Sequence, residues 1–347
     1  MKRITTLIIA LLTVALFVTS CAPEKTKKPE DLVQVVTTFD AITEYVKAVG
    51  GDRVAVRSLV PAGTGAHGFE PRAKDLLVLQ DADLFVLNGL TMEPWAERAV
   101  ESVTNDKLVV VDTSNGVDAI ALIDGEHDHD HEDEHDHEDD HDHDDEHAHE
   151  DEHEHENEHE DEHEHEDEHE DEHDHEHGDY DPHIWLGLST AIKQVENVRD
   201  ALIDFDQAGK SVYEANAKQF TDQLNALLDE YEPKFAALEN DVFVTGHSAF
   251  AYLCRDFGLT QLSVQNVYAD GEPSAKQLIE LVDFSREHGV KTIFAESMAS
   301  PEVSRTLAAE VGAEVKTIYT MEAAEHDMTY LERVEANLAS ILAALQE

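Results

Sequence analysis

The chain has 347 residues and a formal net charge of −54 at pH 7, because 78 acidic residues stand against 24 basic ones. This balance argues against nucleic acid and anionic lipid surfaces as electrostatic partners, since both are negatively charged, and it favours cations. An N-terminal leader of 21 residues and an acidic tract of 52 residues leave 274 residues. That length exceeds one typical small core and predicts two domains.

The chain begins with the pattern of a secretory signal peptide, which we place at residues 1–21. Lys2 and Arg3 precede an apolar run of about 15 residues, which is short for a membrane-spanning helix. The small residues before Cys21 resemble a bacterial lipobox, and this implies that Cys21 becomes the lipidated first residue of the mature chain. An ordinary signal peptide with an incidental Cys is the alternative. Residues 22–30 contain two Pro and three Lys and are interpreted as a tether.

Residues 31–208 alternate short β-branched runs with helical patterns, which predicts a lobe with a parallel sheet flanked by helices. The runs lie at residues 32–37, 54–60, 84–87 and 108–111. The same alternation over residues 239–347 predicts a second lobe of this kind, so the predicted fold class is α/β. Its runs lie at residues 242–245, 259–264, 292–295 and 315–319.

One long amphipathic pattern lies between the two predicted lobes. Over residues 209–238, apolar side chains recur with a period near 3.6, as at Phe220, Leu224 and Leu227. A helix of about 28 residues would run roughly 42 Å at 1.5 Å per residue, which is long enough to cross both lobes. The pattern therefore predicts that the lobes are joined by a single linking helix.

Residues 126–177 are the most unusual segment, because 18 of these 52 residues are His and 32 are Asp or Glu. With no apolar side chains to bury, the segment is predicted to be a disordered loop within the first lobe. Imidazole with carboxylate suits borderline divalent ions, zinc foremost. We interpret this His-rich tract as an accessory metal-collecting loop with weak, interchangeable sites; a purely solvating acidic segment is the alternative. Its histidines are His127, His129, His131, His135, His137, His141, His143, His147, His149, His153, His155, His159, His163, His165, His169, His173, His175 and His177.

Five histidines lie outside the tract, and three of them lie at turns marked by Gly or Pro. His67 follows a Gly-rich turn, His183 a Pro-marked turn and His247 a Thr-Gly turn. Ligands of open α/β folds bind beyond the carboxyl ends of the strands, so each of the three is placed to point inward. Taken singly, each pattern is more often that of a turn or core histidine. His288 and His326 are predicted to lie at a helix end and on a surface stretch, without a metal.

Three segments surround these histidines. They are Ala66-His67-Gly68-Phe69-Glu70-Pro71, Asp181-Pro182-His183-Ile184-Trp185-Leu186 and Thr245-Gly246-His247-Ser248-Ala249-Phe250. Together they resemble the signature segments of the zinc and manganese solute-binding lipoproteins of ABC importers, in family order and at plausible intervals. The His-rich tract precedes the second segment, where many zinc members carry one. The resemblance covers essentially the whole mature chain and implies a metal site in the cleft between the lobes.

By that resemblance, His67 and His183 would bind metal from the first lobe, and His247 from the second. The fourth ligand in such proteins is a carboxylate of the second lobe. Glu322 matches the segment that carries it in zinc members better than Glu296, which we assign to orienting an imidazole. Three imidazoles and one carboxylate suit four-coordinate Zn²⁺. The manganese branch generally has a carboxylate where this chain has His247, which favours zinc as the transported ligand.

The resemblance implies a zinc-binding component of an ABC importer that captures Zn²⁺ outside the cytoplasmic membrane and delivers it to the permease. It further implies an exported monomer, lipid-anchored through Cys21 to the outer face of the cytoplasmic membrane or held in the periplasm, without a nucleic-acid partner. An envelope zinc buffer and a metal-dependent surface adhesin are the alternatives. No enzyme activity is predicted, because outside the His-rich tract the sequence has neither an HExxH pair nor a Ser or Cys nucleophile motif.

Overall fold

A computed structural model describes residues 32–122, 178–268, 275–297, 302–325 and 327–347. The predicted signal peptide with Cys21, the tether, the His-rich tract and His326 lie outside the described residues. The described parts of residues 1–121 and 178–347 belong to one compact unit. Among the described helices, none combines the length and the apolar character that crossing a bilayer requires.

The first lobe is built on a four-stranded parallel sheet with the order β2-β1-β3-β4. Its strands are β1 (Val33–Thr37), β2 (Val54–Ser58), β3 (Leu84–Leu87) and β4 (Val109–Asp112). Its helices are α1 (Asp40–Gly50), α2 (Ala96–Glu101) and α3 (Leu188–Phe205), with 3-10 turns at Gly51–Arg53, Leu76–Asp81 and Ile184–Leu186. The central strands are almost fully buried, as expected where helices cover both faces of a parallel sheet.

The second lobe repeats this arrangement, with the sheet order β6-β5-β7-β8. Its strands are β5 (Val242–His247), β6 (Thr260–Gln265), β7 (Thr292–Glu296) and β8 (Glu314–Ile318). Its helices are α5 (Ala251–Phe257), α6 (Ala275–Glu287), α7 (Glu302–Val311) and α8 (Tyr330–Leu345). Each of the eight apolar runs found in the sequence overlaps one strand, and the predicted α/β fold with two similar lobes is confirmed.

The long helix α4 (Lys210–Phe235) packs against α1 and α3 of the first lobe and against α5 and α8 of the second. Its buried residues include Tyr213, Phe220, Leu224 and Tyr231, which lie on one face because they are spaced by four or seven positions. The helix contains 26 residues and so runs about 39 Å. The prediction of one long connecting helix is confirmed.

The two lobes share one apolar core at their junction. Trp185 is fully buried and packs edge-on against Phe39, with ring centroids 4.7 Å apart. The Trp185 indole N–H donates to the backbone oxygen of Thr320 (2.6 Å), and the Trp185 carbonyl accepts from the hydroxyls of Tyr45 (3.3 Å) and Tyr330 (2.6 Å). Because these partners come from both lobes, Trp185, two positions after His183, is held by first-lobe and second-lobe groups at once.

A buried carboxylate, Glu93, lies where β1 and β3 end. It accepts hydrogen bonds from the Thr38 hydroxyl (2.7 Å), the Asn88 N–H (2.9 Å) and the Gly89 N–H (3.1 Å). Burial raises the pKa of Glu93 to about 7, although these three hydrogen bonds act to lower it, and Asp112 adds a smaller increase. Glu93 therefore connects the ends of β1 and β3, but burial disfavours its charged form.

We expect Glu93→Gln to change the pH dependence of the free energy of unfolding. A carboxyl group with a raised folded-state pKa stabilises the fold fully below its unfolded pKa of 4.5, and this contribution is lost as the pH rises to about 7. At about 1.4 kcal/mol per pKa unit, the loss is on the order of 3 kcal/mol. In urea unfolding, the stability of wild type relative to Glu93→Gln should therefore fall between about pH 4.5 and 7.5. Glu97→Gln, an exposed change on α2, is the control, and its stability relative to wild type should not change with pH. A stability difference between wild type and Glu93→Gln that is also independent of pH would contradict the prediction.

Candidate metal centre

Three histidines meet beyond the carboxyl ends of strands from both lobes. His67 lies in the long loop after β2, His247 is the last residue of β5, and His183 directly precedes the 3-10 turn Ile184–Leu186. Parallel strands of one sheet all end at the same edge, and side chains from neighbouring strand ends therefore converge there. His183 and His247 are buried and His67 is half-buried.

The three imidazoles each offer one nitrogen, and these nitrogens all lie within 4.8 Å of one another. The Nε2 atoms of His67 and His183 are 2.9 Å apart. The ring centroids are separated by 4.9 Å for His67 and His183, 5.7 Å for His67 and His247, and 5.4 Å for His183 and His247. Such a cluster of imidazole nitrogens matches the ligand set that zinc prefers in proteins.

The buried Nε2 atom of His247 has no hydrogen-bond partner among the described residues. A buried polar atom without a partner carries a free-energy penalty of about 1–3 kcal/mol, so native structures rarely leave one unexplained. The opposite ring nitrogen, Nδ1, lies 3.3 Å from Glu296 Oε1. His247 therefore has one nitrogen beside a carboxylate and the other free to bind a cation.

His183 is oriented by Asp181, which sequence analysis did not assign a role. Asp181 Oδ1 lies 2.8 Å from His183 Nδ1 and also accepts the His183 backbone N–H at 2.9 Å. A proton on Nδ1, facing the carboxylate, leaves the Nε2 lone pair directed at the cluster. The signal was present in the sequence as an acidic residue two positions before His183 at a Pro-marked turn, where an Asx-type turn brings the two together.

Glu296 occupies the corresponding position beside His247. It ends β7, and its Oε1 accepts the backbone N–H of His247 at 2.9 Å as well as facing the ring. This approach requires glycine at position 246, because a Cβ on Gly246 would lie 2.1 Å from Glu296 Oε2. Glu296 thus contacts both the backbone and the ring of His247, and its role in orienting this imidazole for a metal stays a prediction.

Glu322 is buried beside the loop that carries His67. Its Oε2 accepts the Ala66 N–H at 2.7 Å, and a Cβ on Gly65 would lie 3.5 Å from the same oxygen. Glu322 is not one of the residues whose ligand atoms lie within the 4.8 Å limit of the histidine cluster. It follows β8, so the second lobe brings a carboxylate to the first-lobe loop next to the cluster.

The charges of these groups are coupled. Burial would raise the pKa of Glu322, but His67, the Ala66 N–H and the other two imidazoles together lower it. Burial, and then the neighbouring His183, lowers the pKa of His67 to about 3. Burial would also lower the pKa of His247, yet Glu296 and then Glu322 raise it above its usual 6.5. As the pH falls, His247 therefore takes up a proton before His67 does.

Among the described residues, His288 is the remaining histidine. It is exposed, stacks on Phe284 with ring centroids 3.7 Å apart, and its Nδ1 lies 3.0 Å from the Phe284 carbonyl oxygen. This environment offers a cation no second ligand of the kind assembled at the cluster. The eighteen tract histidines lie outside the described residues.

Two α/β lobes with buried imidazoles at the carboxyl ends of their strands define a metal-type solute-binding protein. A family model described as ZnuA, zinc-uptake complex component A, periplasmic, matches residues 35–344. The chain belongs to this family, whose members work with an ABC permease in zinc import.

Known proteins similar to the chain cover most of its length. The high-affinity zinc uptake system protein ZnuA of Bacillus subtilis is 32% identical over 335 residues, which cover 94% of this chain and 93% of that protein. The zinc-binding lipoprotein AdcA of Streptococcus pneumoniae is 31% identical over 349 residues, which cover 98% of this chain but only 60% of AdcA. A Zn(II)-bound variant of Streptococcus pneumoniae AdcAII is 30% identical, with a TM-score of 0.71 and coverage of 91% of this chain and 100% of that one.

Asp181→Asn should weaken zinc binding about 10–100-fold, the usual effect of removing a carboxylate that orients a metal-binding imidazole. The amide is neutral and can turn its NH₂ group toward the ring, so it no longer holds the Nδ1 proton or strengthens the basicity of Nε2. The affinity is measured by competition with a zinc chelator, on chains that lack residues 126–177 so that the tract does not compete. Asp179→Asn, two residues away and exposed, is the matched control. Equal affinities for the two variants would contradict the assigned role.

Proposed function

We propose that this protein captures Zn²⁺ between its lobes with His67, His183, His247 and Glu322, and that it delivers the ion to the permease of an ABC importer. The observation that carries the proposal is the convergence of three imidazole nitrogens within 4.8 Å, with a buried carboxylate beside them. Three nitrogen donors and one oxygen donor suit tetrahedral zinc better than harder cations such as manganese or magnesium.

The electrostatics of the described residues support the same assignment. Zn²⁺ would sit among neutral imidazoles, with Asp181 and Glu296 behind two of them and Glu322 at the side. Carboxylates that accept hydrogen bonds from ligating imidazoles strengthen the imidazoles as donors. With four protein groups around the ion, the shell would be closed to an attacking water, so we infer a binding site without enzymatic activity.

We further propose that the mature protein is an exported monomer held at the membrane surface by lipid on Cys21. A single buried acyl chain gives marginal anchoring, at roughly 0.8 kcal/mol per CH₂, so more than one chain on Cys21 would be needed for stable attachment. The His-rich tract would then raise the local zinc concentration near the cleft. Its sites would be weak, because a flexible segment loses conformational entropy when it wraps an ion.

A competition titration tests this function. The protein from Ala22 onward, with residues 126–177 deleted, should bind one zinc ion tightly per chain, and manganese should compete poorly. The matched sample is the same protein with the tract present, which should bind further zinc ions more weakly. If the deletion abolished tight binding, the tract itself would be the receptor and the interlobe assignment would fall.

Growth in zinc-depleted medium separates transport from the alternatives. A cell that lacks this protein should grow poorly there and recover with added zinc, because an importer cannot load its permease without the binding component. Complementation by wild type but not by His183→Ala would tie the growth to the interlobe site. Normal growth of the deletion strain would instead favour an envelope zinc buffer or an adhesin.

A further inference from the structure

The segment that carries Glu322 is held by the first lobe. We call residues 319–323 the Glu322 loop; it joins β8 to the segment before α8. Met321 within it has a φ of 55°, a left-handed conformation that is uncommon for residues other than glycine. A loop in such a conformation persists only where its surroundings determine it.

The N-terminus of α1 makes the first set of contacts with the Glu322 loop. The backbone N–H of Asp40 donates to the Glu322 carbonyl oxygen (3.2 Å), and that of Ala41 donates to the Met321 carbonyl oxygen (3.0 Å). The first N–H groups of a helix lack partners within the helix, and α1 has no side-chain cap at Phe39. Carbonyl groups of the second lobe thus fill the capping positions of a first-lobe helix.

The second set of contacts converges on Arg333, a fully buried residue of α8. Its Nη1 donates to the Ala323 carbonyl oxygen (2.7 Å), its Nη2 pairs with Asp40 Oδ2 (2.5 Å), and its Nε lies 3.4 Å from the Thr329 carbonyl oxygen. One guanidinium therefore contacts the end of the Glu322 loop, the start of α1 and its own helix N-terminus. Its planar fork fixes these partners at set distances, which a flexible ammonium group does not do.

The burial of this charge points to a role beyond stability. A buried ion pair seldom stabilises a protein more than apolar residues of the same volume, because both charges lose hydration. Arg333 and Asp40 are 293 residues apart in the sequence, and they pair across the lobe junction. The pairing fixes the position of one loop, and that loop carries Glu322.

We propose that Arg333, paired with Asp40, is a positioning residue for the metal site: it holds the Glu322 loop against α1 so that the Glu322 carboxylate faces the imidazole cluster. This inference rests on the proposed function, because it requires Glu322 to be a zinc ligand. In the same arrangement, the Glu322 carboxylate accepts the N–H of Ala66, which precedes His67. The Glu322 loop is therefore held through its backbone by Arg333 and α1, and through the Glu322 side chain by the first lobe.

The test is a double-mutant cycle on the protein from Ala22 onward without residues 126–177. Zinc affinity is measured by chelator competition for wild type, Arg333→Met, Glu322→Gln and the double variant. We expect Arg333→Met to weaken zinc binding about 10–100-fold, as removal of groups that orient ligands does. In the Glu322→Gln background, Arg333→Met should weaken zinc binding little further, because both changes remove the same contact to the metal.

Arg53 provides a matched control. Its Nη2 lies 2.5 Å from Asp206 Oδ2, and this ion pair is not part of the metal centre. Arg53→Met should leave zinc affinity within about twofold of wild type, since residues without shared partners act independently. The visible spectrum of bound Co²⁺ is the second measurement, because its intensity depends on coordination geometry. Arg333→Met and Glu322→Gln should show the same changed spectrum, and Arg53→Met the wild-type one.

The outcomes separate this inference from the proposed function. Wild-type affinity in Glu322→Gln would overturn the assignment of Glu322 as a ligand, and with it both proposals for this carboxylate. Weakened binding in Glu322→Gln, with Arg333→Met unchanged or fully additive, would overturn the positioning role alone. If Arg333→Met does not fold, Arg333→Lys takes its place in the same cycle, because lysine keeps the charge beside Asp40 and loses the fork.

Discussion

Replacing His247 with Ala should weaken zinc binding at the interlobe site by more than about 100-fold, beyond the effect of losing a group that merely orients a ligand. His247 presents a buried Nε2 without a hydrogen-bond partner in the described structure, and its other nitrogen faces Glu296. Alanine removes one nitrogen donor from a set of three, and water, which binds zinc less well than imidazole, would have to take its place. The measurement is chelator competition on the chain without residues 126–177.

His288→Ala is the control for this experiment, because His288 is exposed and stacks on Phe284 outside the cluster. It should bind zinc as wild type does. His247→Asp adds a test of selectivity, since an oxygen ligand at this position should lower the preference for zinc over manganese. Tight zinc binding by His247→Ala would mean that this imidazole is not a ligand, and the site would have to be drawn again from His67, His183 and the carboxylates.

Removing zinc from the loaded protein should lower its melting temperature by about 10 °C. A ligand that binds only the folded state stabilises it by about 4.1 kcal/mol at a concentration 1,000 times its dissociation constant. In a protein of this size, each kcal/mol corresponds to roughly 2–4 °C. The structure indicates why the effect should be large: the site brings together three buried carboxylates, Asp181, Glu296 and Glu322, and a divalent cation between the imidazoles offsets their mutual repulsion.

The melting experiment is done by calorimetry with and without a chelator, on the protein without the His-rich tract. His183→Ala is the informative comparison. Asp181 holds the His183 imidazole, and loss of this imidazole opens the first-lobe side of the site. That variant should melt at nearly the same temperature with and without the chelator. A shift as large as that of wild type would mean that zinc stabilises the protein from another site.

Much of the fold was determined by the sequence alone. The β-branched runs that became β1 to β8 are short and apolar, as strands buried on both faces must be, and the amphipathic stripe containing Phe220 and Leu224 predicted α4. His67 and His247 could also be found as candidates, because each lies at a Gly-marked turn at or after a strand end, at the edge where parallel sheets bind ligands. His183 follows no strand of the described structure, and the resemblance of its segment singled it out. These signals are local, and local periodicity is what a single sequence records well.

Only the tertiary structure decided how the carboxylates divide among the imidazoles. Asp181 lies behind His183, Glu296 behind His247 and Glu322 beside Ala66. The resemblance favoured Glu322 as the ligand, but the residues alone left Glu296 and Glu322 open, because each follows an apolar run and nothing local tells which carboxylate points at a neighbouring imidazole.

The pairing of Arg333 with Asp40 is of the same kind. These residues are 293 positions apart, and neither lies in a pattern that marks a partner. Contacts of this range form only when two lobes are packed together, since they depend on the register of whole elements rather than on any one segment. The periodic pattern of side chains therefore determined the strands and the helices, whereas the packing of the lobes decided the surroundings of His67, His183 and His247.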